Sequence, residues 1–408
     1  MKKYIIITYV IGNMGGAQMY CLNKYKFCKQ KGYQVFLFPS EFRPNIYINE
    51  LESCSEKPFE EFSYPPRCYS KRSIRSIISR FLRIIDYKKE DEIIIESHTV
   101  NTAQWGEILS EEVHGKNFIF LLAENIETQC IDELSFLRYK YSHRHLSCIT
   151  KETMQKLFSD LSLEDCIGLG AICGNTVQDV NVPKEIEKLN IKETDIVIGI
   201  VGRLTKPYVS VGLKKVIETS KKHLNKQFKV IIIGGAIEDT AEQELYNMVR
   251  DQTNVSVFIT GFIYPIPLNL LKLSQVCLSS AGSANAIYQY VPTISIDAYT
   301  YEAIGVLGYN TDSTLTKNNS FTSSIEEYLE NILFGNFLNS HDFYIIPEKS
   351  FDEKTVNQRL DEHLRFVDNM RQADYYNFER KCSIKERLIK TLYSIGGIEL
   401  INKLRSIH

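Results

Sequence analysis

Arg203 and Lys206 stand just past an apolar run, residues 196–201, with Gly202 between run and arginine and Thr205 between the two cations. A run of that kind reads as a strand buried on both faces. A cation at its carboxyl end reaches the edge where open α/β sheets bind ligands. Arginine offers a planar fork of donors that matches phosphate oxygens, and lysine adds a point charge. Such a pair can offset charge on a departing diphosphate. A plain surface loop would also carry an arginine and a lysine, so the rest of the edge has to decide. A second run ends in Gly234-Gly235. A third leads into Ser279-Ser280-Ala281-Gly282-Ser283-Ala284-Asn285. Small side chains there let a ligand approach the backbone, and free amides of a first helical turn suit an anion. Ser280 and Ser283 add hydroxyls, although Ser283 is also a natural N-cap. Asn285 is placed either to bond a sugar hydroxyl or to face water. Together these residues point to a phosphorylated, nucleotide-linked ligand.

Three further candidates lie in the first half. Gly12-Asn13-Met14-Gly15-Gly16-Ala17-Gln18 follows the first apolar run. Its glycines are not spaced as in the G-x-G-x-x-G dinucleotide fingerprint, but Gly15 and Gly16 permit a tight turn. His98 follows the run 93–97, where an imidazole acts as a base, holds a hydroxyl, or is simply structural. Glu124 has the same kind of address after residues 118–122, as a second candidate carboxylate.

The elements that must position these residues alternate strand and helix. Strands are predicted over 4–10, 33–38, 92–96, 117–122 and 146–150, then over 196–201, 229–233, 255–259, 276–279 and 293–296. Helices are predicted over 16–31, 211–223, 240–251, 267–273 and 284–290. This pattern gives an α/β chain of two doubly wound, Rossmann-like domains. Residues 1–180 form the first and 181–350 the second, with a charged linker at 182–195. A helical tail, 351–408, is predicted as helices over 354–372 and 375–394 that stop at Gly396-Gly397 and pack back on the first domain.

Bulk properties exclude several classes. The 408 residues carry a formal net charge of −2, which gives no pull toward nucleic acid. The ten cysteines show no metal-like spacing and suit free thiols in a reducing cytosol. No bound metal and no resident cofactor are expected. No apolar run approaches the roughly 18 residues of a membrane span. The apolar start is too short for a signal peptide and runs on into a glycine turn. Residues 71–89, from Lys71 to Lys89, set Ile74, Ile77, Ile78, Phe81, Leu82 and Ile85 at helical spacing among four arginines. Such a helix either lies on an anionic membrane surface or packs its stripe on the sheet.

The chain resembles the GT-B glycosyltransferases, especially those of family 4. The likeness is carried by Gly15-Gly16-Ala17 after the first strand, His98 after a strand, Gly202-Arg203-Leu204, residues 231–235, residues 258–263 and residues 285–294. It implies two Rossmann-like domains facing across a cleft, an acceptor in the first and a nucleotide-sugar donor in the second. It also implies no bound metal. His98 would meet the acceptor hydroxyl, and backbone near Phe262 and Ile263 the nucleotide base. Many members build bacterial polysaccharides or glycolipids at the inner face of the plasma membrane. The family's E-x7-E signature is absent: Asn285 stands where its second glutamate falls. Lys206 is the candidate to replace a family lysine missing further along the loop.

The expected activity is therefore transfer of a sugar from a nucleoside-diphosphate donor, UDP first, to a saccharide or lipid-linked acceptor. The expected place is the cytoplasm, with peripheral membrane contact through residues 71–89. The alternatives are a nucleotide-sugar epimerase of the same fold and a silent homologue that binds a partner. A dinucleotide oxidoreductase fits less well, because neither half carries its fingerprint.

Overall fold

A computed structural model of the chain describes residues 1–12, 15–41, 48–123, 126, 128, 130–170, 177–236, 239–317, 323–346, 353–378 and 382–405. The chain divides into two compact units, Met1–Cys173 with Val356–His408, and Gly174–Thr355. In the first unit the elements are β1 (Lys2–Val10), α1 (Gly16–Gln30), β2 (Gln34–Glu41), α2 (Asn49–Cys54), α3 (Lys71–Ile84), β3 (Glu92–Ser97), α4 (Val100–Val113), β4 (Lys116–Leu121), α5 (Ile131–Ser142), β5 (Leu146–Cys148) and α6 (Lys151–Leu157). In the second they are β6 (Val177–Gln178), β7 (Ile196–Val201), α7 (Pro207–Ser220), β8 (Phe228–Ile233), α8 (Asp239–Val249), β9 (Val255–Ile259), β10 (Ile266–Pro267), α9 (Leu268–Leu271), β11 (Val276–Ser279), α10 (Ala281–Ile287), β12 (Thr293–Ile296), β13 (Ala303–Val306), α11 (Ile325–Leu333) and α12 (Phe337–Ser340). The chain then returns through α13 (Glu353–Asp368) and ends with α14 (Ile384–Arg405).

The first sheet is parallel, in the order β2-β1-β3-β4-β5. The second runs β13-β12-β11-β7-β8-β9, parallel except for the β12–β13 pair. Alternation explains why β7 and β8 read as unbroken apolar runs. Ile198, Ile200 and Ile232 face one core with Val209 and Leu213 of α7. Val197, Val201, Ile231 and Ile233 face another with Leu270 and Ile287. Both faces are covered, so neither needs polar residues.

Three local features depart from expectation. Helix α7 begins at Pro207 rather than at 211, because proline pre-sets the helical φ and its missing N–H is no loss at the first position. Residues 374–378 are not helical: the amide of Tyr376 donates to Glu107 (2.8 Å) and the Tyr375 hydroxyl to the carbonyl of Gly115 (2.9 Å). Helix α14 does not stop at Gly396-Gly397. It passes them through a kink, with Gly397 at φ 65°. Ile389 and Tyr393 before the kink, and Ile398 and Ile401 after it, pack on one core, which outweighs the local cost of the glycines.

The segment from Lys71 forms α3, capped by the Ser70 hydroxyl, which accepts from the amide of Ser73 (3.0 Å). Its stripe of Ile77, Ile78 and Phe81 is buried in the core of the first unit. No helix among the described residues is long and apolar enough to cross a membrane.

Candidate functional site

The second sheet reverses its winding between β7 and β11. From β7 the chain adds β8 and β9 on one side, then crosses over to place β11 on the other. Ligands of doubly wound sheets bind at the carboxyl ends beside such a switch point. Ser279 pairs with Val201, and Val201 pairs on its other side with Ile233. The residues that follow are Ser280, Gly202 and Gly234. The sheet register alone therefore brings three of the predicted segments to one edge.

Close backbone contact locks that edge. Gly202 donates to the carbonyl of Ile233 (3.1 Å) and Leu204 to that of Gly235 (3.1 Å). Gly234 donates to the Thr260 hydroxyl (3.2 Å) and bridges to Gly261. Gly235 abuts the amide of Phe262. Phe262 and Ile263 are half-buried, and Ile263 packs against the core beneath the edge. The loop after β9, expected near the base, thus touches the loop after β8.

Arg203 is exposed at this edge. Its charge acts on the hydroxyl of Tyr208, a residue that sequence reasoning passed over. Burial pushes that hydroxyl up to about 12, against the pull of Arg203 and of hydrogen bonds with Ser283 and Ser279. Tyr208 donates to the carbonyl of Val201 (3.2 Å), which also accepts from Ser279 (2.8 Å). The Arg203 charge and the Ser283 hydroxyl thus both act on one phenol.

The turn into α10 is strained. Ala281, not Gly282, takes the left-handed conformation, at φ 50°, which for a residue with a Cβ costs on the order of 1 kcal/mol and clusters at functional sites. The amide of Ala281 donates to the carbonyl of Thr314 (2.7 Å) and that of Ala284 to Ser280 (3.4 Å). The amides of Gly282 and Ser283 have no partner among the described residues. Ser280 is only 3% exposed, yet its hydroxyl bonds to nothing. The side-chain oxygen of Asn285, one turn on, is also buried and unpaired. Buried polar groups normally find partners, so two orphans on one short helix mark a place for a polar molecule. Ala284 is different: its side chain belongs to a small core with Tyr288, Leu307 and Ile346.

Lys206 lines an open hollow of about 690 Å³ against Glu244, Asn247 and Met248 of α8. It is exposed, and its side chain does not cap α7.

The remaining candidates belong to the first unit. Gly15 is the extended N-cap of α1, its carbonyl accepting from Met19 (3.1 Å), and Gly16 is exposed beside it. His98 sits at the switch point of the first sheet, between the ends of β1 and β4: its amide donates to Ile7 and its carbonyl accepts from Leu122. The ring is 2% exposed. One nitrogen lies 3.0 Å from Glu96 and the other 3.7 Å from the Cys21 sulfur. Burial alone would raise the Glu96 carboxyl, but Lys24 and His98 outweigh it and hold it below the usual range. Tyr4 and Tyr20 also donate to that carboxylate (2.5 Å each). As placed, His98 is the top of a buried polar cluster. Glu124 lies outside the described residues. No group of three or more His, Cys, Asp or Glu among the described residues could hold a metal.

No family model matches the chain, and no curated protein matches it. Solved structures do. HepE of Anabaena, solved with UDP and glucose, is 14% identical, with a TM-score of 0.56 over 89% of this chain and 99% of its own. A glycosyltransferase from Rickettsia africae is 13% identical, with a TM-score of 0.55 over 98% of this chain and 99% of its own. A variant of TarM from S. aureus, solved with fondaparinux, α-GlcNAc-glycerol and UDP, is 10% identical, with a TM-score of 0.54 over 90% and 99%. The likeness is one of fold. The chain has the GT-B fold, built from two Rossmann-like α/β domains with a helical tail.

Proposed function

We propose that the protein is a glycosyltransferase that moves a sugar from a nucleoside-diphosphate donor to a saccharide or lipid-linked acceptor. One observation carries the reading. At the switch point of the second sheet, the exposed Arg203 follows the end of β7, and the turn after the neighbouring β11 holds the amides of Gly282 and Ser283, unpartnered among the described residues, and the orphaned hydroxyl of Ser280. That set supplies a cation, two N–H donors and an O–H donor, the complement of a diphosphate.

In this reading Arg203 and the amides of Gly282 and Ser283 take up charge as the diphosphate leaves. Ser280 bonds a phosphate oxygen, Asn285 places a ribose or sugar hydroxyl, and the backbone at Phe262 and Ile263 meets the base. Lys206 would serve the donor only by leaving the α8 hollow. Gly15 and Gly16 would admit the donor to the edge of the first sheet. His98 would meet the acceptor hydroxyl, with Glu96 holding its ring, provided the acceptor reaches the nitrogen that now faces Cys21. Glu124 remains the second candidate carboxylate. UDP is the nucleotide proposed, because HepE and the TarM variant were solved with it. A bound metal is not required by this set. Membrane contact would run through the exposed Arg72, Arg75 and Arg83 by charge alone, since the apolar stripe of α3 faces the core.

Product analysis tests the proposal. The protein is incubated with a panel of UDP-sugars, with and without saccharide acceptors. Transfer to an acceptor with release of UDP is expected. Conversion of the sugar without transfer would make it an epimerase. Neither reaction, together with no nucleotide binding, would leave the silent-homologue reading.

A further inference from the structure

A cavity of about 420 Å³ lies in the helical layer of the first unit, among the start of α3, the middle of α4 and residues 375–378. Small-molecule sites occupy about 300–1,000 Å³. Gln104 lines it; this side chain is 1% exposed, and its Nε2 has no hydrogen-bond partner. A buried amide N–H without an acceptor is destabilising, and an oxygen on a bound molecule would supply what it lacks. Tyr376 and Phe378 also line the cavity, with ring centroids 5.2 Å apart. Lys71, Arg75 and Lys390 line it as exposed cations, with Glu111 as the one carboxylate of the lining; Arg67, a fourth cation there, is already paired with Glu133 and Glu386. None of these residues has a part in the nucleotide site.

We propose that this cavity is a second ligand site, for a pyranose bearing a carboxylate or a phosphate. The three exposed cations select a negative charge. The aromatic pair offers an apolar surface to the C–H face of a sugar ring, which a bare ion cannot use. Gln104 donates to a ring or acid oxygen. The inference stands apart from the nucleotide reading, because every residue it uses lies in the first unit and Arg203 lies in the second.

The chain has a single tryptophan, Trp105. It neighbours Gln104, and its ring lies 5.6 Å from Tyr69, another residue of the cavity lining. Its fluorescence therefore reports on this site, and calorimetry supplies a second readout. The full-length protein is titrated with glucuronate, glucose 6-phosphate, glucose and inorganic phosphate. Saturable binding of glucuronate or glucose 6-phosphate is expected, at least tenfold tighter than glucose or phosphate alone. Whichever charged sugar binds better identifies the acid. The double variant Lys71→Glu, Arg75→Glu should weaken that binding tenfold or more without changing the melting temperature, since both side chains are exposed. Gln104→Leu should weaken it as well. Silence in both readouts for both charged sugars would overturn the proposal. So would equal binding of glucose or phosphate, or undiminished binding by the folded double variant.

Discussion

A Cβ placed on Gly234 would lie 1.9 Å from the carbonyl oxygen of Gly202. The ends of β7 and β8 therefore touch through backbone alone, and Arg203 leaves the sheet from that contact. Position 202 is as tight, because a Cβ there would meet the Tyr208 hydroxyl at 2.0 Å. Gly234→Ala should accordingly cost about 1–3 kcal/mol by overpacking and displace Arg203. A lowered melting temperature and a lost response to UDP, measured on one sample, are the expected pair. Full stability in the alanine variant would show that the loops separate freely.

Ser280→Ala separates stability from binding. The hydroxyl is buried without a partner, so removing it should leave the free protein unchanged or more stable by up to about 1 kcal/mol. Affinity for UDP should fall by about tenfold, the loss of one hydrogen bond to a charged group. Denaturant unfolding and calorimetry read the two effects. A destabilised free protein with normal UDP affinity would make Ser280 purely structural.

The two cations of the β7 loop should behave differently. Lys206 lies in the α8 hollow, so Lys206→Ala should change UDP affinity less than Arg203→Ala does, and neither should move the stability of the free protein by more than about 0.5 kcal/mol, both side chains being exposed. Competitive displacement of a labelled nucleotide measures the ratio. Equal losses would bring Lys206 into the site.

Acid should weaken the first unit. Burial and the charge of Lys24 lower the His363 imidazole to about 3, against the pull of Glu96. Burial likewise lowers His145 to about 4. An unfolded histidine titrates near 6.5. Between that value and the folded values the unfolded chain binds more protons, so stability is highest above about pH 6.5 and falls as pH drops. The slope for one histidine approaches about 1.4 kcal/mol per pH unit. His363→Gln should flatten the melting profile between about pH 6.5 and 4. An unchanged slope in that variant would remove His363 from the effect.

Much of the frame was legible in the sequence. Residues 196–201, 255–259, 276–279 and 293–296 form strands with the predicted ends; 196–201 is the clearest case, because a strand buried on both faces declares itself as an apolar run. The antiparallel β13 went unseen, since Ala303–Val306 is short and marked only by its partner. The gathering of Arg203, Gly234, Phe262 and Ser280 was legible as a shared address at strand ends, and sheet register turned the address into proximity. What could not be read was side-chain company. Nothing in the order of residues said that Tyr208 would fill the space over Gly202, that Ala281 would take the positive φ beside an available glycine, or that Lys206 would lie against α8. The burial of His98 with Glu96 was equally invisible, because it depends on Tyr4, Tyr20 and Lys24 arriving from β1 and α1.

The claim that the carboxyl edge of the second sheet holds a diphosphate is tested most directly by titrating UDP into the native protein and into Arg203→Ala by calorimetry. The native chain should bind one UDP, and at 100 times its Kd the nucleotide should add about 2.7 kcal/mol of stability. The variant should fold normally and bind at least tenfold more weakly. A native protein that takes up no UDP, or a variant that binds it undiminished, would contradict the account.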